Sequence, residues 1–253
     1  MSITHHSLAF APREGGRVLC FTAHPDDVDF GAAGTIAAWT AAGVEVVYCV
    51  MTDGDAGGFE ADADIAARRL EEQRAAASLV GVREVHYLHE RDGYLEVTHQ
   101  VISQVVALIR RYRPDVVLTM HPERNWERLQ KSHPDHLAAG EIVTRAVYPA
   151  AENPFAYPEL EAQGLAAFKV PQLWFMAAPA ERENHYEDIG DTVEAKLAAI
   201  HIHASQHPDP AAMDAEVRGQ LLENGRRTDA SGDVLAECFH VVVVNGSGTF
   251  AGF

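Results

Sequence analysis

Short apolar runs alternate with helix-like segments through the first 150 residues of this 253-residue chain, and no other feature restricts its fold as strongly. The runs are Val18–Thr22, Val44–Met51, Val85–Leu88 and Val116–Met120. Continuous apolar runs of this length suit strands buried on both faces of a parallel sheet. Between them, Gly34–Ala42 reads as a short helix ending at Gly43. Asp64–Val80 reads as a helix with Leu70, Ala77 and Val80 at helical spacing, stopped by Gly81. Val101–Tyr112 carries Val101, Val105, Leu108 and Ile109 on one helical face, with Pro114 just beyond its end. Strand–helix–strand order of this kind predicts right-handed crossovers and an α/β fold, three layers around a mostly parallel sheet. After Tyr148 the pattern loosens. Residues 149–171 read as an irregular insertion, Leu173–Ala177 as a strand, Val193–Ala204 as a helix and Cys238–Val244 as a terminal strand. The expectation is one domain over 1–253, with a core at about 17–148 and a looser C-terminal portion at 149–253.

In parallel sheets, sites form at the carboxyl ends of strands. That rule gathers three segments on one edge: His24 to Asp27 after the first strand, Thr52 to Gly58 after the second, and His121 after the fourth. The first segment is Ala23-His24-Pro25-Asp26-Asp27. Its counterpart, His133-Pro134-Asp135-His136, places His136 at 112 positions (136 − 24) beyond His24. Zinc favours imidazole nitrogen and carboxylate oxygen, and a catalytic site leaves one position for water. His24 and Asp27 are close enough in the turn to bind one ion, and His136 supplies a third ligand. Asp26 cannot easily face the same way as Asp27, which suits it to act as general base on the water. His133 is placed to polarise or protonate the developing oxyanion and leaving group, and Asp135 to fix an imidazole tautomer by hydrogen bonding. Each motif alone also reads as a helix N-terminus, because Asp caps well and Pro suits the first helical position. A cap needs neither histidine.

The charge balance narrows the partners. Thirty-seven acids against 20 bases give a formal charge of −17, a field that opposes nucleic acid and anionic membrane surfaces. Cys20, Cys49 and Cys238 each lie in a strand-like apolar run, as expected for buried free thiols in a reducing cytoplasm. Residues 1–17 lack an apolar core flanked by positive charge, so no signal peptide is expected, and no apolar stretch of about 20 residues could span a bilayer. A cytoplasmic protein is expected.

The two histidine motifs resemble those of the PIG-L/LmbE-like zinc-dependent N-acetyl sugar deacetylases, with residues 23–27 and 133–136 matching the family's two signatures. The resemblance implies a Rossmann-like three-layer sandwich and one Zn2+ per chain on His24, Asp27 and His136. It also implies Asp26 as general base and His133 as electrostatic or acid partner. Smaller matches extend from Val18 to Gln206. Thr52-Asp53-Gly54 with Gly57 is similar to the family's glycine-rich loop, Arg69-Leu70-Glu71-Glu72 to its Arg-x-x-Glu helix, and Asp92-Gly93 to its Asp-Gly loop. Lys196 with His203-Ala204-Ser205-Gln206 is similar to its C-terminal helix. By resemblance, Arg69 and Asp92 contact sugar hydroxyls of a small N-acetylated amino-sugar substrate, and a homo-oligomer is among the states open to the chain, since relatives often form one. The alternative for Arg69 and Asp92 is a surface ion pair.

Three departures stand out. Asp29 replaces the family's Glu and is expected to reach a different partner around the site. Ala33-Gly34-Thr35 replaces Gly-Gly-Thr, a change that bears on helix packing. The 121–132 loop has no family counterpart and is expected to border the pocket. The lead expectation is thus a zinc-dependent amidohydrolase releasing an N-acetyl or other N-acyl group. An amidase acting on a larger amino-sugar or thiol conjugate is the alternative within hydrolases. A magnesium-dependent phosphoryl-transfer or receiver-type domain would use Asp26, Asp27 and Asp53, but it leaves the histidines without work. A binding module that keeps the fold without catalysis is the third alternative. It leaves unexplained why the base and all three ligands occur together.

Overall fold

All four strands expected in the first 150 residues form, as β1 (Arg17–Thr22), β2 (Glu45–Thr52), β3 (Glu84–Glu90) and β4 (Val116–Met120). The intervening helices are α1 (Asp27–Ala41), α2 (Ile65–Leu79) and α3 (His99–Tyr112). Then follow α4 (Pro134–Arg145), the short α5 (Pro158–Ala162), β5 (Gln172–Met176) and β6 (His185–Asp188). α6 (Val193–Ile202), α7 (Pro210–Arg226) and β7 (Ala236–Val243) complete the series. This is a computed structural model that describes residues 3, 4, 6, 9–59, 62–207 and 209–246. The expected 1–253 domain therefore includes positions at both ends that lie outside the described residues.

Among the described residues, seven strands form one sheet in the order β3-β2-β1-β4-β5-β7-β6. β1 to β5 pair in parallel, and β7 runs antiparallel to both β5 and β6. Alternate strand residues feed two apolar layers. Leu19, Phe21, Val47 and Cys49 pack against α3 and α4, while Val18, Cys20, Val46 and Tyr48 pack against α1 and α2. The result is the α/β sandwich read from the periodicity. All three cysteines are buried in it. No helix among the described residues is long and apolar enough to cross a membrane.

Three parts differ from the sequence reading. α1 starts at Asp27 rather than Gly34. Glycine weakens helix propensity at 31 and 34, which hid the first two turns. A Cβ at Gly31 would come within 2.4 Å of Met176 Sδ, and one at Gly34 within 2.5 Å of Ile189 Cδ1, so close packing selects glycine and burial holds the helix. The other two parts, β6 and α7, were not expected at all. Residues 149–171 are irregular except for the end of a π-helical turn at Ala146–Ala150 and the single turn of α5.

The C-terminal portion is tied to the motif-bearing helix by a buried charge pair. Lys196 Nζ on α6 donates to Glu237 Oε1 on β7 at 2.6 Å and to the carbonyls of Asp29 and Phe30 at 2.9 and 2.6 Å. Glu237 also accepts the N–H groups of Gly34 and Thr35. Both side chains are almost fully buried, so removing one partner strands the other at a cost of about 3–5 kcal/mol. The pair ties down the stretch of α1 from Asp29 to Thr35, just after its first residue, Asp27.

Candidate metal centre

β1 ends at Thr22 and the chain enters α1 through Ala23-His24-Pro25-Asp26. Asp26 has φ 103° and ψ −29°, a left-handed conformation that costs a non-glycine residue on the order of 1–3 kcal/mol. The surroundings over-determine it. Its N–H donates to Gln73 Oε1 at 2.8 Å, its carbonyl accepts from Asp29 and Phe30, and the preceding Pro25 carbonyl accepts Arg69 Nη2 at 2.8 Å. Gln73 is itself held: its Nε2 donates to Asp29 Oδ2 at 2.8 Å, and the same oxygen is 2.8 Å from His203 Nε2. Asp29 thus reaches behind Asp26, to Gln73 and His203, rather than to an imidazole of the motif pair. Sequence reasoning missed Gln73, because no motif marks it and only the packing of α2 beside the turn brings it there. Gln73→Leu leaves a half-buried N–H at Asp26 unpaired, a loss of about 1 kcal/mol, at the low end of the range for a buried group. The expected result is a kcat lowered roughly 10- to 100-fold with metal content unchanged, checked by steady-state kinetics beside elemental analysis.

His24, Asp27 and His136 converge across the gap between α1 and α4. Their ligand atoms lie within 4.8 Å of one another. His24 Nδ1 is 3.3 Å from His136 Nε2 and 3.6 Å from Asp27 Oδ2, and His136 Nε2 is 2.9 Å from Asp27 Oδ1. Each imidazole is held from behind. His136 Nδ1 faces the Lys131 carbonyl at 3.3 Å, and His24 Nε2 faces Asp92 Oδ1 at 3.0 Å and Asp135 Oδ2 at 3.2 Å. Acceptors behind both rings are placed to take the ring hydrogens of neutral imidazoles, the form that binds a metal, and in that form each ring would turn a lone pair toward Asp27. Two such nitrogens and a carboxylate fit a divalent cation.

The electrostatics agree. Burial works against a charge on His24, but hydrogen bonds to Asp135, Asp27 and Asp92 push its pKa up to about 12. Burial would likewise raise Asp27, yet His136 and His24 hold its carboxyl well below the usual range. The cluster is built to surround positive charge.

His133 sits beside this cluster, its ring edge-on to that of His24 with centroids 4.8 Å apart. Its Nδ1 accepts the Asp135 N–H at 3.3 Å and so caps α4, which leaves the hydrogen of the neutral ring on Nε2. Burial, and then the His24 charge, lower its pKa. A neutral His133 donates a hydrogen bond rather than a full proton. Asp135 touches His24, and its oxygens also accept the N–H groups of Gly93 and Leu95, so the Asp-Gly loop is anchored to the cluster.

Arg69 and Asp92 are buried, which removes the surface ion pair as their explanation. Arg69 Nη1 lies 3.6 Å from Asp92 Oδ2, Nη2 lies 3.3 Å from Asp26 Oδ2, and Nη1 donates to the Gly54 carbonyl. The glycine-rich loop makes room for this guanidinium. A Cβ at Gly54 or Gly57 would fall 2.6 or 2.3 Å from Arg69 Nη1. His207, also unforeseen, lies 3.8 Å from Asp26 Oδ2. Other residues of the same sheet edge turn away. His121 pairs with His240 at 3.0 Å, and Asp53 with His89 at 2.8 Å, so the oxygen-only site drawn from Asp26, Asp27 and Asp53 does not assemble.

Residues 19–147 match the family model described as PIG-L: GlcNAc-PI de-N-acetylase. Diacetylchitobiose deacetylase of Thermococcus kodakarensis is 36% identical over 196 residues, spanning 76% of this chain and 71% of that protein. A 1D-myo-inositol 2-acetamido-2-deoxy-alpha-D-glucopyranoside deacetylase of Rhodococcus erythropolis is 29% identical over 242 residues, spanning 75% and 81%. The structure of N,N'-diacetylchitobiose deacetylase from Pyrococcus horikoshii, complexed with its inhibitor MPG, superposes with a TM-score of 0.81 at 30% identity. It covers 90% of this chain and 84% of that one.

Proposed function

The chain belongs to the PIG-L family, and on that premise we propose that it is a zinc-dependent hydrolase that removes an N-acetyl group from an amino-sugar conjugate. One observation carries the reading: His24 Nδ1, His136 Nε2 and Asp27 converge while the other nitrogen of each ring already has an acceptor. Two nitrogens bound to one tetrahedral zinc at roughly 2.0–2.1 Å stand roughly 3.3 Å apart. That is the separation between these two, 3.3 Å. When bound, zinc supplies Lewis acidity, which lowers the pKa of water to about 7 and polarises a carbonyl.

The chain's own residues divide the remaining work. Asp26 takes a proton from the attacking water and returns it to the departing amine. Gln73 and Arg69 hold Asp26 in its strained conformation, and Asp29 acts through Gln73. His133 donates from Nε2 to the oxygen that gains charge as the amide carbon becomes tetrahedral. Asp135 orients His24, and Arg69 with Asp92 forms the wall assigned to sugar hydroxyls. Water adds to the acyl carbon, the C–N bond breaks, and acetate and a free amino sugar result. The whole chain is read as one domain, because β4 of the core and β5 of the C-terminal portion pair in one sheet. Protein purified without chelator or histidine tag is expected to hold close to one zinc per chain and to release acetate from N-acetylglucosamine conjugates. Magnesium alone, or no tightly held metal, sinks the proposal.

A further inference from the structure

A cavity of about 420 Å³ opens beside the candidate centre. Asp27 and His136 line one part of it, whereas Asp26, Arg69, Asp92 and His133 do not. Its apolar lining comes from Phe30, Met120, Met176, Met213, Val217 and Leu221, and its charged lining from Arg128, Lys131, Glu183 and Glu216 and from the Lys196–Glu237 pair, whose charges are already matched to each other. The apolar residues belong to two separate clusters, one against the sheet and one around α6 and α7, and the cavity follows the seam between them. An acetyl group presents one methyl to such a space, whereas cavities of roughly 300–1,000 Å³ hold whole drug-sized molecules. Methionine suits a wall that must fit chains of differing length, because its side chain is flexible and polarisable.

An amide has two sides. Placing the sugar nitrogen toward Arg69 and Asp92 would leave the substituent on the acyl carbon for the other side of the centre, where Asp27 and His136 line the cavity. We propose that the cavity is an acyl-chain pocket and that the substrates include amino sugars N-acylated with saturated chains from butyryl to octanoyl. This inference rests on the reading of the chain as an amino-sugar amide hydrolase.

The test is amine release by the zinc-loaded full chain from N-acetyl-, N-butyryl-, N-hexanoyl- and N-octanoylglucosamine. kcat/KM is expected to rise roughly fourfold for each methylene that enters the pocket, the effect of burying one CH2. Met213→Trp, which fills the seam, is expected to leave acetyl release unchanged and to lower hexanoyl release at least tenfold. Val217→Phe is the milder second filling, expected to act in the same direction. Hexanoate is expected to raise the melting temperature of the wild-type protein more than acetate does, and that difference should vanish in the filled variants. Turnover of the acetyl substrate with steadily poorer longer chains overturns the pocket and leaves the hydrolase reading standing. Loss of turnover on every substrate overturns both. Hexanoyl release indifferent to both fillings also removes the chain from this cavity.

Discussion

Asp26→Asn is expected to lower kcat by roughly 10²- to 10⁴-fold while zinc stays near one per chain, the range that general acid–base catalysis supplies. At 1.36 kcal/mol for each tenfold, that is a barrier higher by about 3–5 kcal/mol. The substitution is unusually clean here. Asp26 is absent from the converging triad, so a neutral amide at that position leaves the three ligand atoms as they are. Its φ of 103° suits Asn as well as Asp, since both tolerate the left-handed region, and its N–H bond to Gln73 does not depend on the side chain. Arg69 Nη2 at 3.3 Å can still donate to the Asn carbonyl oxygen. What the amide cannot do is accept a proton from water. Amine release measured beside metal content decides the matter, and turnover within tenfold of wild type removes Asp26 as the base.

The sequence made some of this architecture readable for a physical reason. β1, β2 and β4 are buried on both faces, so they appear as continuous apolar runs with sharp ends. The two histidine motifs lie at carboxyl ends of those strands, where the sheet's direction alone brings distant segments together. What stayed hidden depends on packing between elements. α7 buries only a thin stripe, in which Met213, Val217 and Leu221 recur every fourth residue within a polar sequence. Asp209, whose side chain accepts the Ala212 N–H, and Pro210 at the helix start are the local signal that could have marked this helix. The same three residues line the cavity, so the least readable helix bears most on which acyl group fits. Gln73 was hidden more deeply. A glutamine in an Ala/Arg/Glu-rich helix looks solvated, and only the neighbouring turn makes it the partner of Asp26. His203 stood within a matched motif, yet nothing in the motif linked it to Asp29.

His136→Ala separates ligand from base in the opposite sense from Asp26→Asn. It is expected to drop zinc below a tenth of an equivalent after dialysis and to abolish turnover, because two protein donors cannot replace the three that catalytic zinc sites use. The loss is larger than that from disturbing a supporting contact, such as the Lys131 carbonyl behind the ring, where roughly 10- to 100-fold in affinity is usual. Ala is a better helix former than His, and His136 lies in the first turn of α4, so the backbone there is not weakened by the change. Stability gives a readout that activity cannot mimic. A ligand held only by the folded state stabilises it by RT ln(1 + [L]/Kd), about 2.7 kcal/mol at a concentration 100 times Kd. Zinc should therefore raise the melting temperature of the wild-type protein and of Asp26→Asn alike. It should leave that of His136→Ala nearly unmoved. If zinc stabilises His136→Ala as much as wild type, His136 does not hold the ion, and the 3.3 Å approach of its Nε2 to His24 Nδ1 needs another explanation.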